Sequence, residues 1–178
     1  MAHTPGTAVI PVAASAAVAR RGRARRPGSA HVVLDDVSKL IIEQLQQDGR
    51  RSYAAIGKAV GLSEAAVRQR VQRLIEVGAM QIVAVTDPMM LGFLRQTMIG
   101  IRCNGELERV ADHLAGMDEI DYVVITAGSF DLLIEVVCEN DDQLLEILGR
   151  IRSIPSVTTT ETFVYLRLCK QTYSWGTR

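Results

Sequence analysis

The hydrophobic periodicity of the chain changes near Gly92, and this change constrains the fold more than any other feature of the sequence. Between Leu34 and Val77, apolar residues recur every three or four positions, as on one face of a helix. After Gly92, short β-branched runs alternate with two amphipathic helical patterns in the order β-α-β-β-α-β. That order is ferredoxin-like, with two helices covering one face of an antiparallel sheet. We therefore predict two small domains of the α+β class.

The elements of the ferredoxin-like half follow from its apolar spacing and its turn residues. Strands are predicted over 96–103, 122–127, 132–139 and 157–169, and helices around 107–114 and 144–151. The second of these helices is expected to end before Pro155, because proline cannot continue a helix. The two middle strands are separated by a turn, Gly128-Ser129-Phe130-Asp131.

Residues 34–77 are predicted to form three helices. An apolar stripe at four-residue spacing places the first over 34–48. Ser52 and Ser63 are good N-caps for the second and third, since a serine oxygen accepts a hydrogen bond from a free backbone N–H. Gly61 allows a tight turn between them, and the third helix is expected over 64–77.

The connection between the two halves begins with a short β-branched run. Residues 80–86 are predicted to form a strand that leaves the helices, and Asp87-Pro88 is a turn signal. The predicted organisation is a basic, disordered tail (1–33), a winged helix-turn-helix domain (34–79), a linker strand and turn (80–94) and the ferredoxin-like domain (95–178).

The charge of the chain is unevenly distributed. The formal net charge is zero, which taken alone argues against a nucleic-acid partner. However, residues 1–33 carry five arginines and no acid, residues 34–86 carry a net +1, and residues 87–178 carry −6. Because phosphates attract positive charge, only the N-terminal part is predicted to meet DNA.

Composition excludes several other classes of protein. No apolar run approaches the ~20 residues that a membrane-spanning helix needs, and the apolar stretch 8–19 precedes the arginines, the reverse of a secretory signal. Cys103, Cys138 and Cys169 are widely spaced in predicted strands, which favours reduced and mostly buried thiols. His113 has no second ligand at metal-binding spacing. We expect a cytoplasmic, nucleoid-associated protein without membrane contact, metal or cofactor.

Residues 53–77 have the pattern of a helix-turn-helix, in which one helix braces and the next enters the major groove. The predicted groove-facing side chains of the third helix are Glu64, Arg68, Gln69 and Gln72. Arginine can pair bidentately with guanine and glutamine with adenine. Phosphate contacts are predicted at Ser52, Ser63 and Arg73, while Arg70 contacts phosphate or braces the fold. The alternative is an ordinary solvated, charged helix.

Residues 34–80, LDDVSKLIIEQLQQDGRRSYAAIGKAVGLSEAAVRQRVQRLIEVGAM, resemble the N-terminal domain of the Lrp/AsnC (feast/famine) regulators of bacteria and archaea. The similarity continues through Asp87-Pro88 and Leu91-Gly92 into the C-terminal domain. The chain departs from the family pattern at Ser38, usually an aspartate, and at Ile56-Gly57, usually Leu-Ala. The resemblance implies a homodimer on double-stranded DNA, with dimers joining into larger rings such as an octamer.

The resemblance also implies that the C-terminal domain binds an amino acid or related metabolite. The family's Gly-x-Tyr-Asp turn corresponds to Gly128-Ser129-Phe130-Asp131, preceded by Thr126, and the tyrosine hydroxyl is lost. Asp131 can hold an ammonium group, and Gly128 lets backbone N–H groups approach a carboxylate. A plain hairpin turn is the alternative. Threonines that line the pocket in some relatives correspond to Thr158, Thr160 and Thr162, which alternate along the last predicted strand.

Two other functions remain as alternatives. One is a nucleoid-organising protein that uses the same DNA-binding helix without an effector. The other is an enzyme, because sirohaem decarboxylases resemble this family and use histidine. After Leu34 the chain has only His113, so enzymatic activity is not expected.

Overall fold

A computed structural model describes residues 34–172, 176 and 177 of the chain. The predicted disordered tail, 1–33, therefore lies outside the described residues. All described residues fall in one compact unit of the chain.

Three helices, each begun by a side-chain cap, form the N-terminal part. They are α1 (Asp36–Gln47), α2 (Tyr53–Val60) and α3 (Glu64–Glu76). The side chains of Asp35, Ser52 and Ser63 accept hydrogen bonds from backbone N–H groups of the first turns, which confirms the two predicted serine caps. The turn between α2 and α3 passes through Gly61 at φ 75°, a left-handed conformation that glycine adopts without strain.

Gly57, one of the departures from the family pattern, has a packing reason. A Cβ atom at this position would lie 2.5 Å from the carbonyl oxygen of Leu62 in the following turn. Glycine costs helix stability, up to ~1 kcal/mol relative to alanine, but here it lets α2 approach the turn closely. The helical core next to it consists of Ile41, Leu45, Ile56, Val67 and Val71.

The predicted strand over residues 80–86 is wrong for the single chain. Residues 80–87 form no strand or helix, and Ile82, Val83 and Val85 are 47%, 69% and 59% exposed. A strand needs a neighbour to accept its backbone hydrogen bonds, and no described segment of this chain pairs with it. A one-turn 3-10 helix, Pro88–Leu91, follows at the predicted Asp87-Pro88 turn, capped by the Asp87 side chain.

The C-terminal part is a four-stranded antiparallel sheet with two helices, and it confirms the predicted ferredoxin-like order. The strands are β1 (Arg95–Cys103), β2 (Ile120–Ile125), β3 (Leu132–Cys138) and β4 (Val157–Val164), arranged β2-β3-β1-β4. The helices are α4 (Leu107–Ala115) and α5 (Asp141–Arg152).

The last strand is shorter than predicted. β4 ends at Val164, which pairs with Thr97, and the N–H of Tyr165 donates a final hydrogen bond to the carbonyl of Gln96. β1 begins at Arg95, so beyond Tyr165 the chain pairs with no strand in the part that the structure describes. Cys169 consequently lies outside the sheet and is exposed, whereas Cys103 is half-buried and Cys138 is buried. The expectation of mostly buried thiols thus fails at Cys169.

The two faces of the sheet differ. Ile99, Ile101, Ile134 and Val136 face the helices and are fully buried. The residues that alternate with these along each strand lie on the other side of the sheet, which we call the open face. The apolar residues of the open face are Met98, Tyr122, Val124, Leu133, Val137 and Phe163. Tyr122 is 50% and Phe163 43% exposed. The described part of the chain contains no helix long and apolar enough to cross a membrane.

Candidate functional site

The predicted recognition helix α3 has one buried stripe and one outward stripe. Val67, Val71 and Leu74 are buried, and the two valines pack into the core formed with α1 and α2. At 3.6 residues per turn, Gln69 and Gln72 lie on the opposite side of the helix, and both are exposed. Arg68 and Arg73 flank this outward stripe on its two sides. The structure therefore brings four of the predicted DNA-contacting residues onto one exposed surface.

Arg68 is held in place by its neighbours. Its Nη2 donates to Oε1 of Glu64 at 2.9 Å, and its guanidinium lies over the Tyr53 ring of α2, 5.2 Å from the centroid. Glu64, itself predicted as a groove-facing residue, thus contributes by orienting Arg68. Gln72 donates to Glu76 at 3.0 Å. The side chains of Gln69 and Arg73 make no hydrogen bond or ion pair with the described residues.

Ser52 and Ser63 each stand at a helix start, as the predicted phosphate contacts require. Each hydroxyl oxygen accepts a hydrogen bond from a backbone N–H at 3.2 Å, and each hydroxyl proton stays available. The first backbone N–H groups of α2 and α3 point out of the helix ends, where the helix dipole favours an anion.

Arg70 braces the fold. Its Nη1 lies 2.6 Å from Oδ2 of Asp35 and 3.3 Å from the Ser38 hydroxyl, which joins α3 to the start of α1. The Ser38 side chain and Arg70 hold the pKa of Asp35 at about 2, below its usual 3.8. A serine at position 38, where the family usually has aspartate, is thus part of this brace.

We expect Asp35→Asn to lower the melting temperature in a pH-dependent way. Asparagine is also a good N-cap, so the substitution removes chiefly the charged contact to Arg70. Since the folded pKa is depressed, the stabilisation is present above the unfolded value of 3.8 and is lost as pH falls through about 2. In thermal denaturation, the native protein should melt at a higher temperature than Asp35→Asn near neutral pH. This difference in melting temperature should disappear near pH ~2.

The matched control is Asp36→Asn. The Asp36 side chain is 96% exposed, and its ion pair with Lys39 is 3.7 Å long. This variant should melt close to the native protein at every pH. If Asp35→Asn lowers the melting temperature equally at neutral and strongly acidic pH, the Asp35–Arg70 ion pair does not stabilise the fold.

The predicted effector turn is stabilised by bonds within the chain. Oδ2 of Asp131 accepts a hydrogen bond from the backbone N–H of Cys103 at 2.8 Å, and the Thr126 hydroxyl donates to the carbonyl of Phe130. Ser129 is exposed, and a Cβ atom at Gly128 would have nothing within 4 Å. One Asp131 carboxylate oxygen is thus already engaged, while the space around Gly128 is open.

Phe130 packs back onto the open face, an arrangement that the sequence analysis missed. Its ring covers Gly100 so closely that a Cβ atom there would lie 2.7 Å from ring carbons. The ring of Phe163 meets it edge-on at 6.1 Å, and the Arg102 guanidinium lies 5.7 Å from its centroid. A glycine inside a predicted strand was the available signal, because such glycines often mark a close approach.

The three predicted threonines share one face of β4 but are spread along it. Thr160 and Thr162 pair with Ile101 and Ile99, which puts them on the helix-covered face. The Thr158 hydroxyl donates to the carbonyl of Arg102 at 3.0 Å, and the Thr160 hydroxyl accepts from Arg152 at 2.9 Å. Asp131 and Thr158 therefore both bond to the same end of β1, at the Cys103 N–H and the Arg102 carbonyl. Thr162 lies four residues away, roughly 13 Å along the strand.

No cluster of three potential metal ligands occurs among residues 34–172, 176 and 177. His113 is exposed on α4. A capped helix-turn-helix with a polar outward stripe, followed by an α+β domain with one uncovered sheet face, defines the class of two-domain DNA-binding transcriptional regulators.

Comparisons with known families agree with this class. A model of the AsnC-type helix-turn-helix domain matches residues 34–75, and a model of a C-terminal dimeric alpha+beta barrel domain of AsnC-type regulators matches residues 79–178. The chain belongs to the Lrp/AsnC family of transcriptional regulators. The HTH-type transcriptional regulator FL11 of Pyrococcus horikoshii is 34% identical over 143 residues, which cover 79% of this chain and 95% of that protein.

Solved structures share the fold. Escherichia coli AsnC superposes with a TM-score of 0.69 at 24% identity, over 80% of this chain and 98% of that one. A regulator of Neisseria meningitidis in complex with L-Met gives 0.68 at 20% identity, over 78% and 94%. The matching families and curated relatives are transcriptional regulators and not enzymes, so the decarboxylase alternative is set aside.

Proposed function

We propose that this regulator binds specific operator DNA through α3 and that an amino acid or related metabolite, bound by its C-terminal domain, alters that binding. The proposed binding of operator DNA is supported above all by the outward stripe of α3. Gln69 and Gln72 are exposed there, and Arg68 and Arg73 flank them. Such side chains match the hydrogen-bonding pattern of base edges in the major groove. The protein would act at the nucleoid, in the cytoplasm.

The open face of the sheet is the proposed dimer surface. The C-terminal domain belongs to a dimeric class, and helices cover only the opposite face of the sheet. Two copies joined in this way would present two α3 helices to one side of the duplex. Their half-sites should be about one helical turn, ~34 Å, apart. Four such dimers would then assemble into an octamer.

The proposed effector site is the turn between β2 and β3. Gly128 leaves room for a ligand carboxylate to approach backbone N–H groups, and one oxygen of Asp131 is not engaged by Cys103. Ser129 is exposed beside them, and Thr158 lies at the same end of β1. The Neisseria meningitidis protein of the same fold binds L-Met, which favours an amino acid as the ligand class. Thr126, Thr160 and Thr162 would shape the surroundings.

A nucleoid-organising protein without an effector is the second candidate, and one observation favours it. The turn satisfies its own polar groups, since Asp131 bonds to Cys103 and Thr126 to Phe130. Phe130 also carries no hydroxyl to offer a ligand. A turn of this kind has its hydrogen bonds satisfied within the chain and needs no bound molecule.

A thermal-shift screen of the full chain against the twenty amino acids separates the two candidates. A ligand at ~100 times its Kd should stabilise the protein by about 2.7 kcal/mol, a rise of several degrees. Gly128→Val should abolish that rise, because the added side chain fills the open space beside the turn. Ala127→Val, one residue earlier and exposed, is the control that should keep it. If no amino acid raises the melting temperature, the proposed effector binding is wrong and the nucleoid-organising function is favoured.

A further inference from the structure

We propose that Arg102 is the residue of the effector site that selects the ligand's side chain, and that the effector is an amino acid with a second carboxylate, aspartate or glutamate. This inference rests on the proposed function, in which the turn between β2 and β3 holds the α-amino and α-carboxylate groups of the ligand. It adds the chemical class of the ligand and the residue that determines it.

Arg102 is an exposed arginine without an acidic partner. The strands and helices of the C-terminal part contain four other arginines, and their own chain engages each of them: Arg95 with Asp141, Arg109 with Glu106, Arg150 with Glu119, and Arg152 with the Thr160 hydroxyl. The guanidinium of Arg102 makes no ion pair or hydrogen bond with any residue that the structure describes. Residues 87–178 carry a net charge of −6, so a shortage of acids is not the reason.

An aromatic ring holds Arg102 beside the proposed effector turn. Its guanidinium lies over the ring of Phe130, 5.7 Å from the centroid. That ring is itself fixed, because it packs on Gly100 and meets Phe163 edge-on. A contact with the face of a ring attracts the cation but uses none of its five N–H donors in a hydrogen bond. Arg102 is therefore positioned by the protein and free to bind an anion.

Three groups that suit an acidic amino acid lie in a row at one end of the sheet. The strand order β2-β3-β1 places the end of β2, the start of β3 and the end of β1 side by side. Gly128 follows β2, Asp131 precedes β3, and Arg102 is the next-to-last residue of β1. Adjacent strands are ~4.8 Å apart, so the row spans roughly 10 Å. It runs from an open stretch of backbone through a carboxylate to a cation.

Asp131 does not neutralise Arg102. Ile101 pairs with Leu132, so Arg102 and Asp131 come opposite each other one residue beyond this pair, yet they form no ion pair. Oδ2 of Asp131 instead accepts the backbone N–H of Cys103 at 2.8 Å. Asp131 thus keeps one oxygen for a ligand ammonium group, and Arg102 keeps its charge for a ligand carboxylate.

The three groups discriminate between classes of amino acid. Any amino acid can offer its α-carboxylate to the backbone at Gly128 and its ammonium group to Asp131. Only aspartate and glutamate also carry a carboxylate for Arg102, and a guanidinium binds a carboxylate with two parallel hydrogen bonds. Phe130 has no hydroxyl with which to recognise another polar side chain. A basic side chain would meet the like charge of Arg102 and be rejected.

The test compares each acidic amino acid with its amide, which has nearly the same shape without the charge. Glutamate, glutamine, aspartate and asparagine are titrated into the full chain at matched pH and salt concentration. Isothermal titration calorimetry gives the Kd, and the thermal shift gives an independent readout. The same titrations are made with Arg102→Gln, with Arg102→Lys and with Arg109→Gln, whose arginine is also exposed but lies on α4. Circular dichroism checks that each variant is folded.

The native chain should bind one of the two acids roughly tenfold to a hundredfold more tightly than its amide, the usual gain from a hydrogen bond to a charged group. Arg102→Gln should bind acid and amide equally, because it keeps a polar side chain but loses the charge. Arg102→Lys should retain part of the preference, since the charge remains while the two parallel hydrogen bonds are lost. Arg109→Gln should bind like the native chain.

A native chain that binds each amide as tightly as its acid would overturn the inference, and this comparison needs no variant. An Arg102→Gln variant that keeps the preference for the acid would overturn it too. If Arg102→Gln weakens acid and amide by the same factor, Arg102 holds the α-carboxylate that both share, and the assignment is equally wrong. All three results leave the proposed effector binding intact. That function fails separately, if none of the twenty amino acids binds the native chain.

Discussion

A variant with both Arg68 and Gln69 changed to alanine is expected to lose specific operator binding while it keeps its fold and its oligomeric state. Each bidentate contact to a base contributes roughly 1–3 kcal/mol of discrimination, so two lost contacts should remove roughly 2–6 kcal/mol. The helix itself should persist. The Arg68–Glu64 pair is exposed, such a pair contributes only a few tenths of a kcal/mol, and alanine is a good helix former.

The measurement is binding to a selected operator against a scrambled duplex, with size-exclusion chromatography to check assembly. Arg109→Ala is the matched control, because Arg109 is also an exposed helical arginine paired with a glutamate on its own chain, at 2.7 Å. It should bind like the native protein. If the double variant keeps native operator affinity, the outward stripe of α3 does not read DNA.

Met98→Lys should convert the dimer into monomers and weaken operator binding by a factor of ~10²–10⁴, the usual gain from linking two binding modules. Met98 lies on the open face in the central strand β1, paired with Glu135 on β3 and Phe163 on β4. A lysine there faces the Glu135 carboxylate across the strands, which a single sheet tolerates. Between two packed sheets, the same charge would be removed from water at a large cost.

Light scattering after size-exclusion chromatography gives the mass of each species, and circular dichroism reports whether the subunit stays folded. Met98→Leu conserves the apolar volume and should remain dimeric. A folded Met98→Lys protein that still runs as a dimer would place the dimer surface elsewhere.

Sequence reasoning succeeded where structure is decided locally. The ends of α2 and α3 followed from Ser52, Ser63 and Gly61, because caps and left-handed turns depend on a few adjacent residues. The order of the ferredoxin-like elements followed from short apolar periods. The outward position of Gln69 and Gln72 followed from the helical repeat alone.

It failed where a residue depends on a distant neighbour. Residues 80–86 and 165–169 have the composition of strands, but a strand forms only beside another strand, and no strand among the described residues pairs with either run. The Arg70–Asp35 brace links positions 35 residues apart, and the alternatives for Arg70 could not be separated without it. The sequence predicts Phe130 in a ligand turn, whereas its ring packs on Gly100 of another strand.

The bonds of Asp131 illustrate the same difficulty at the effector turn. An aspartate after a glycine-containing turn suits both an ammonium ligand and a backbone N–H of the protein. The carboxylate selects the Cys103 N–H at 2.8 Å, and no local pattern in the sequence encodes that choice.

The exposed run from Ile82 to Val85 makes a solitary subunit prone to unwanted contacts. A solitary subunit displays an unpaired β-branched segment, which other chains and proteases recognise. A partner strand laid against this run would accept its backbone hydrogen bonds and cover its side chains. A subunit in which the run stays uncovered is therefore the form of the chain most open to edge-to-edge aggregation.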